Sequence, residues 1–178
     1  MIPMETEIRI REAGPDEHDS VAALYLQAYA EFAHALGPDR WQAMRTNLEL
    51  VEARAAYSTI LVAERAGALL GAVMYTAPNV RPGGGIGLIR FVPAEWAYLG
   101  ILGVDPATRG RGIGRALSGA CVALARRDGG ATIGLVTREI MSAARRLYDG
   151  MGFLRRPDLD AAAGPGFLVY ALPLGRDL

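Results

Sequence analysis

GVDPATRGRGIGRAL, residues 103–117, sets four glycines and three arginines directly behind an apolar run. That run, EWAYLGIL at 95–102, reads as a buried strand. Pro106 stops it, because proline has no N–H to give to a ladder. Beyond the glycines, Ile113, Leu117, Ala120, Cys121 and Leu124 recur at helical spacing, so an amphipathic helix starts inside the stretch. The first turn of a helix carries N–H groups without intrahelical partners and a partial positive charge. Gly110, Gly112 and Gly114 let a backbone approach an anion closely, and Arg109, Arg111 and Arg115 add full charges beside those donors. A helix start without a ligand favours Asp or Ser. Arginine there points to a bound anion, and a diphosphate suits the cluster.

Working outward, ATIGLVT (131–137) is the next strand, and strand–helix–strand implies a parallel crossover. TILVAERAGALLGAVMYT (59–76) reads as a hairpin around Arg65-Ala66-Gly67, which is antiparallel. The sheet is therefore mixed. Ile8 and Ile10 alternate with charges and predict an opening strand. GPDEHDS caps a helix with the stripe Val21, Leu24, Tyr25, Ala28, Tyr29 and Phe32. GPDR starts a second helix carrying Trp41, Met44, Leu48, Val51 and Ala55. APNVRPGGGIG (77–87) reads as a flexible surface loop. SAARRLYDGMGF (142–153) is a short helix with a glycine end, and GFLVYALPL (166–174) a final strand. The expectation is an α/β (α+β) fold in one domain over residues 1–178, a mixed, mostly antiparallel sheet of six or seven strands with about four helices.

The 178 residues are 51% hydrophobic and 21% charged with zero net charge, so nothing pulls the chain toward nucleic acid or a membrane surface. All 19 basic residues are arginine, and without lysine no G-x-x-x-x-G-K-[ST] phosphate loop exists. The spacing G-x-G-x-G also differs from the G-x-G-x-x-G of a dinucleotide fold. Cys121 is the single cysteine, which excludes an internal disulfide and a cysteine zinc cluster; it reads as a small core residue. His18 and His34 have no partner at ligand spacing, so no metal is expected. The charged N-terminus and the lack of a run near ~20 apolar residues predict a cytoplasmic protein.

At this point the residues resemble a known family, the GNAT-type N-acetyltransferases. LGVDPATRGRGIGRAL (102–117) looks like that family's acetyl-CoA signature, R-x-x-G-x-G between a strand and a helix. RRLYDGMGFLRR (145–156) is similar to its later segment, a helix with a tyrosine four residues before Gly-Phe. The hairpin and the N-terminal strand with two helices fall in the family's order, so the resemblance covers about residues 6–175. One position departs from the pattern: the asparagine often found seven residues before the tyrosine is Met141, with Ser142 beside it.

The resemblance implies that the fourth and fifth strands splay and that the pantetheine arm of acetyl-CoA pairs with backbone around Leu102, Gly103 and Val104. The diphosphate would rest on Arg109, Gly110, Arg111, Gly112, Ile113, Gly114 and Arg115, and Ser142 would stand near the cofactor. Tyr148 would be the general acid that protonates the departing thiolate. Glu95, just before the fourth strand, is the candidate general base, with a solvated strand-start carboxylate as the alternative reading. Asp105 either joins the site or caps the turn after it. The acceptor would be an amine, first a small or amino-acid-like molecule, then a protein N-terminus or lysine. A non-catalytic acetyl-CoA-binding module is the alternative. Homodimerisation stays open.

Overall fold

The computed structural model describes residues 7–83 and 87–175. Its strands are β1 (Arg9–Glu12), β2 (Thr59–Arg65), β3 (Ala68–Thr76), β4 (Ala97–Val104), β5 (Thr132–Arg138), β6 (Leu154–Arg155) and β7 (Phe167–Pro173). They form a seven-stranded sheet in the order β1-β2-β3-β4-β5-β7-β6. β1 runs antiparallel to β2, with Ile10 opposite Ala63. β5 and β6 each run antiparallel to β7. β4 and β5 are the parallel pair, joined where Ala97 faces Ile133 and Tyr98 faces Gly134. The β2–β3 hairpin turns on Ala66 and Gly67, both at positive φ, as a tight two-residue connection requires.

The helices are α1 (His18–Tyr29), α2 (Ala33–Leu36), α3 (Pro38–Glu49), α4 (Val51–Ala55), α5 (Ile113–Arg127), α6 (Ser142–Gly150) and α7 (Pro157–Ala163). The sequence pattern predicts one helix from 38 to 55. Instead the chain leaves helical geometry at Leu50 (φ −79°, ψ 39°). The buried Arg54 donates to the Asn47 carbonyl and side chain, which closes the end of α3. Phe32 also lies outside α1, in a 3-10 turn. The count of about four helices therefore falls short: the N-terminal pair is subdivided, and α7 is added between β6 and β7.

The chain divides into two compact units, Met1–Met74 with Ile101–Ala120, and Tyr75–Gly100 with Cys121–Leu178. In the first, Val21, Leu24 and Tyr25 of α1 pack with Leu48, Val51, Ile60, Val62, Ala72 and Met74. α1 comes close to β4 because Gly103 has no side chain: a Cβ there would stand 2.8 Å from the Tyr25 ring. Gly71 likewise admits Ile113 and Leu117 of α5, at 3.0 and 2.9 Å from its would-be Cβ. In the second unit, Ile89, Val92, Trp96, Tyr98, Ala163, Val169 and Ala171 form the core. Trp96 lies over Gly134, where a Cβ would meet the ring at 2.6 Å.

The segment 77–83 departs from the flexible loop expected of it. Asn79 N–H donates to the Ala94 carbonyl at 2.7 Å, and Arg81 donates to the carbonyls of Val80, Pro93 and Trp96. On its far side the chain forms a 3-10 turn, Leu88–Phe91, with Ile89 buried. Gly84, Gly85 and Ile86 of the expected loop lie outside the described residues. Among those described, no helix is long and apolar enough to cross a membrane, and no group of three His, Cys, Asp or Glu could hold a metal ion.

Candidate cofactor site

In the first unit β4 delivers the chain to Asp105. Its N–H donates to the Leu70 carbonyl at 2.8 Å, and its carboxylate accepts the Ala107 N–H at 2.9 Å. Asp105 thus caps the 3-10 turn Pro106–Thr108, and the Thr108 hydroxyl donates back to its carbonyl at 3.1 Å. Of the two roles open to Asp105 in the sequence, the geometry gives it the cap. Gly110 and Gly112 follow, each with φ of +77°. No neighbouring atom stands within 4 Å of either missing Cβ, so backbone conformation and not crowding calls for glycine here. The left-handed region costs a residue with a Cβ about 1–2 kcal/mol. Positive-φ residues alternating with ordinary ones form the backbone of anion-binding nests.

α5 begins directly after Gly112, whose carbonyl accepts the Ala116 N–H at 2.9 Å. The earlier donors of the first turn project from the helix end. Buried Ile113 fixes that end against β3, Gly114 is half-buried, and Arg111 and Arg115 are exposed. Open glycines, end-on N–H groups and two exposed guanidiniums fit a diphosphate.

Arg109 opens this glycine-rich passage. Its guanidinium donates to the Ala28 carbonyl at 2.7 Å and pairs with the Glu31 carboxylate, so the side chain fastens the loop to the end of α1. What it leaves to an anion is its main-chain N–H. Tyr29 makes a second tie, donating its phenol to the Leu102 carbonyl at 2.9 Å. Burial pushes the Tyr29 phenol up to about 12, with the nearby Arg109 charge opposing the shift. Tyr29 therefore stays a neutral donor at neutral pH. Sequence spacing could not find either tie, since the partners lie 78 and 73 residues apart.

In the second unit Tyr148 sits on α6, 4% exposed, its ring centroid 5.5 Å from Phe153 and 6.3 Å from Tyr170. Ser142 opens α6 and is exposed. Met141, in the place of the family's asparagine, is a core residue whose sulfur accepts the Thr137 hydroxyl at 3.8 Å. Glu95 lies exposed in the turn before β4, which the Trp96 N–H closes onto the Pro93 carbonyl at 3.1 Å. Arg81 feels Glu95: burial lowers its pKa, while nearby Tyr98 and Glu95 pull it back up. Cys121 is buried and burial pushes its thiol well up, which makes it a core residue with no nucleophilic part.

Comparison with known proteins places this geometry. The sequence profile of the acetyltransferase (GNAT) family matches residues 19–153. A mycothiol acetyltransferase from Thermobispora bispora is 32% identical over 154 residues, 86% of this chain and 48% of that protein. The chain thus spans about half the length of the curated relative it matches. Among solved structures, a GNAT family acetyltransferase from Brucella melitensis in complex with acetyl-CoA superposes with a TM-score of 0.62 at 24% identity, covering 97% of this chain and 91% of that one. An N-acetyltransferase from Thermoplasma acidophilum in complex with coenzyme A gives 0.69 at 12% identity, covering 95% and 100%. Both carry the same fold. With the profile spanning strand, glycine loop and Tyr148 helix alike, the chain belongs to the GNAT family of acetyltransferases.

Proposed function

We propose that the chain is a single-domain, acetyl-CoA-dependent N-acetyltransferase of a small primary amine, working by direct attack in a ternary complex. The observation that carries this reading is the passage from β4 through Gly110 and Gly112 into α5, an anion-receptive helix start at a strand end. Relatives described as acetyl-CoA and coenzyme A complexes support the choice of anion.

Bound acetyl-CoA supplies an activated acyl group as a thioester. Main-chain donors from Arg109 to Arg115 hold the diphosphate, with Arg111 and Arg115 adding charge. The Leu102–Val104 backbone aligns the pantetheine arm, and the Val104 N–H polarises the thioester carbonyl. A donor aimed at a developing oxyanion contributes about 2.7–4 kcal/mol to lowering the barrier. Tyr148 delivers its phenolic proton to the leaving sulfur. Glu95, through water, takes the proton that the attacking amine must lose. Ser142 offers a hydroxyl beside Met141, which stands in the place of the family's asparagine.

The test is a panel of amines with acetyl-CoA, read by thiol release. Small amines, amino acids and peptide N-termini belong in it, and the relative named for mycothiol adds that compound class. Turnover with a small amine supports the reading. Turnover confined to peptides would move the acceptor to protein. Tight acetyl-CoA binding with no turnover on any amine would leave a binding module in place of an enzyme.

A further inference from the structure

The last turn of α1 holds β4 and the loop after it at several points, and these contacts bear on how β4 meets its ligand. The Asp105 N–H turns toward β3, where it meets the Leu70 carbonyl at 2.8 Å. Main-chain groups alternate along a strand, so Gly103 also faces β3; its carbonyl oxygen is 3.1 Å from the would-be Cβ of Gly71. Leu102 and Val104 therefore turn their N–H and carbonyl groups away from β3. On that outward side Tyr29 donates its phenol to the Leu102 carbonyl at 2.9 Å. One residue earlier in α1, the Ala28 carbonyl accepts from Arg109 at 2.7 Å. Between these two ties, the bare Gly103 lets Tyr25 press on the strand.

We propose that Tyr29 is a positioning residue for the cofactor strand. By holding the outward-turned Leu102 carbonyl, its phenol fixes residues 102–104 in the orientation that receives the pantetheine arm of acetyl-CoA. This rests on the acetyl-CoA reading given above. The division of labour is specific: Tyr29 governs the strand that meets the pantetheine arm, whereas the diphosphate rests on the loop and helix start that Arg109 and Ile113 anchor. Without the phenolic oxygen, the Leu102 carbonyl loses its donor and the 102–104 backbone can turn, while the Gly110–Gly112 loop stays where it is.

The experiment compares wild type with Tyr29→Phe by calorimetry, using two probes. One is acetyl-CoA; the other is adenosine 3′-phosphate 5′-diphosphate, the nucleotide end with its diphosphate but without the pantetheine arm. Thermal unfolding of both proteins confirms that Phe keeps the fold, and Tyr29→Leu serves as a second variant should Phe fail to fold. The expected result is acetyl-CoA affinity lowered about 3- to 10-fold, the range of one hydrogen bond, with nucleotide affinity unchanged. Equal loss with both probes would overturn the proposal, since Tyr29 would then support the site as a whole. Unchanged affinity for both would overturn it too, while the acetyl-CoA reading stood. Wild type that binds neither probe would remove that reading and the proposal together.

Discussion

Phe153 donates its N–H to the Tyr148 carbonyl at 3.0 Å and lays its ring against the Tyr148 ring, with centroids 5.5 Å apart. Gly152 donates to the Asp149 carbonyl at 3.1 Å and takes φ of +86°. Together these bonds form a Schellman cap, complete with the apolar contact that commonly accompanies it. The offset between Tyr148 and Gly152-Phe153 is thus accounted for by helix termination alone. Catalysis by Tyr148 has to be tested apart from that cap.

Two substitutions separate the roles. Gly152→Ala forces a Cβ into the left-handed region and should cost about 1–2 kcal/mol of stability, with turnover per folded molecule unchanged. Tyr148→Phe keeps the ring contacts and should change stability by no more than about 0.5–1.5 kcal/mol. Its turnover should fall roughly 10²–10⁴-fold if the phenol gives its proton to the thiolate. Denaturant curves and steady-state rates decide between them. A folded Tyr148→Phe protein with wild-type turnover would reduce Tyr148 to a packing residue.

Arg81 anchors the segment that composition marks as loose. Its guanidinium serves the carbonyls of Val80, Pro93 and Trp96. Arg81→Met retains the aliphatic stem but strands those acceptors, at about 1–3 kcal/mol for a buried group left unmade. Urea unfolding followed by tryptophan fluorescence should show the loss. A shift within error would mean that Asn79 and Ile89 hold the segment without it.

What the sequence made legible follows its local signals. The hairpin, β4, α5 and β7 each carry a period or a glycine stop, and each forms where those signals lie. The break at Leu50 was hidden because Val51 and Ala55 continue the apolar spacing of α3; a buried arginine, not a proline or glycine, ends the helix. α7 did have signals, with Pro157 at its first position, Asp158 and Asp160 in its first turn and Gly164 at its end. Its length of about two turns and alanine-rich face gave no apolar stripe to read. At the candidate site, the glycines of the loop could be read from their pattern. The use of Arg109 could not, because Glu31 and the Ala28 carbonyl reach it only through tertiary packing.

The acid limb of stability should report Glu17. Arg11 donates to both Glu17 oxygens at 2.7 Å and to Glu64 at 2.6 Å. The Arg11 hydrogen bonds first, then the Gly14 N–H, hold the Glu17 carboxyl down to about 2 from its ordinary 4.5. A carboxyl with a lower pKa folded than unfolded stabilises fully above the unfolded value, and that contribution drains as pH falls toward the folded one. Glu17→Gln should therefore flatten the loss of stability between about pH 4.5 and pH 2. At neutral pH it should cost no more than about 1 kcal/mol, since the pair is partly solvated. An acid unfolding curve identical to wild type would remove Glu17 from the acid response.

Gly112 allows a test in which charge and conformation separate. Its φ of +77° disfavours most side chains, yet no neighbouring atom lies within 4 Å of its missing Cβ. Asn and Asp tolerate left-handed backbone better than other residues; they match in size, and differ in charge and in the donors of the Asn amide. Gly112 immediately precedes α5, where a negative side chain stabilises a helix by about 0.3–1 kcal/mol. Gly112→Asp should accordingly be at least as stable as Gly112→Asn. Toward a diphosphate the order reverses: like charges at about 4 Å repel by about 4 kcal/mol at an effective dielectric of about 20, and salt screens part of that. Calorimetry should find acetyl-CoA bound at least about tenfold more weakly by Gly112→Asp than by Gly112→Asn, with the gap narrowing as ionic strength rises. Equal affinities for the two folded variants would mean that no anion sits at the start of α5, and the cofactor assignment would fall with it.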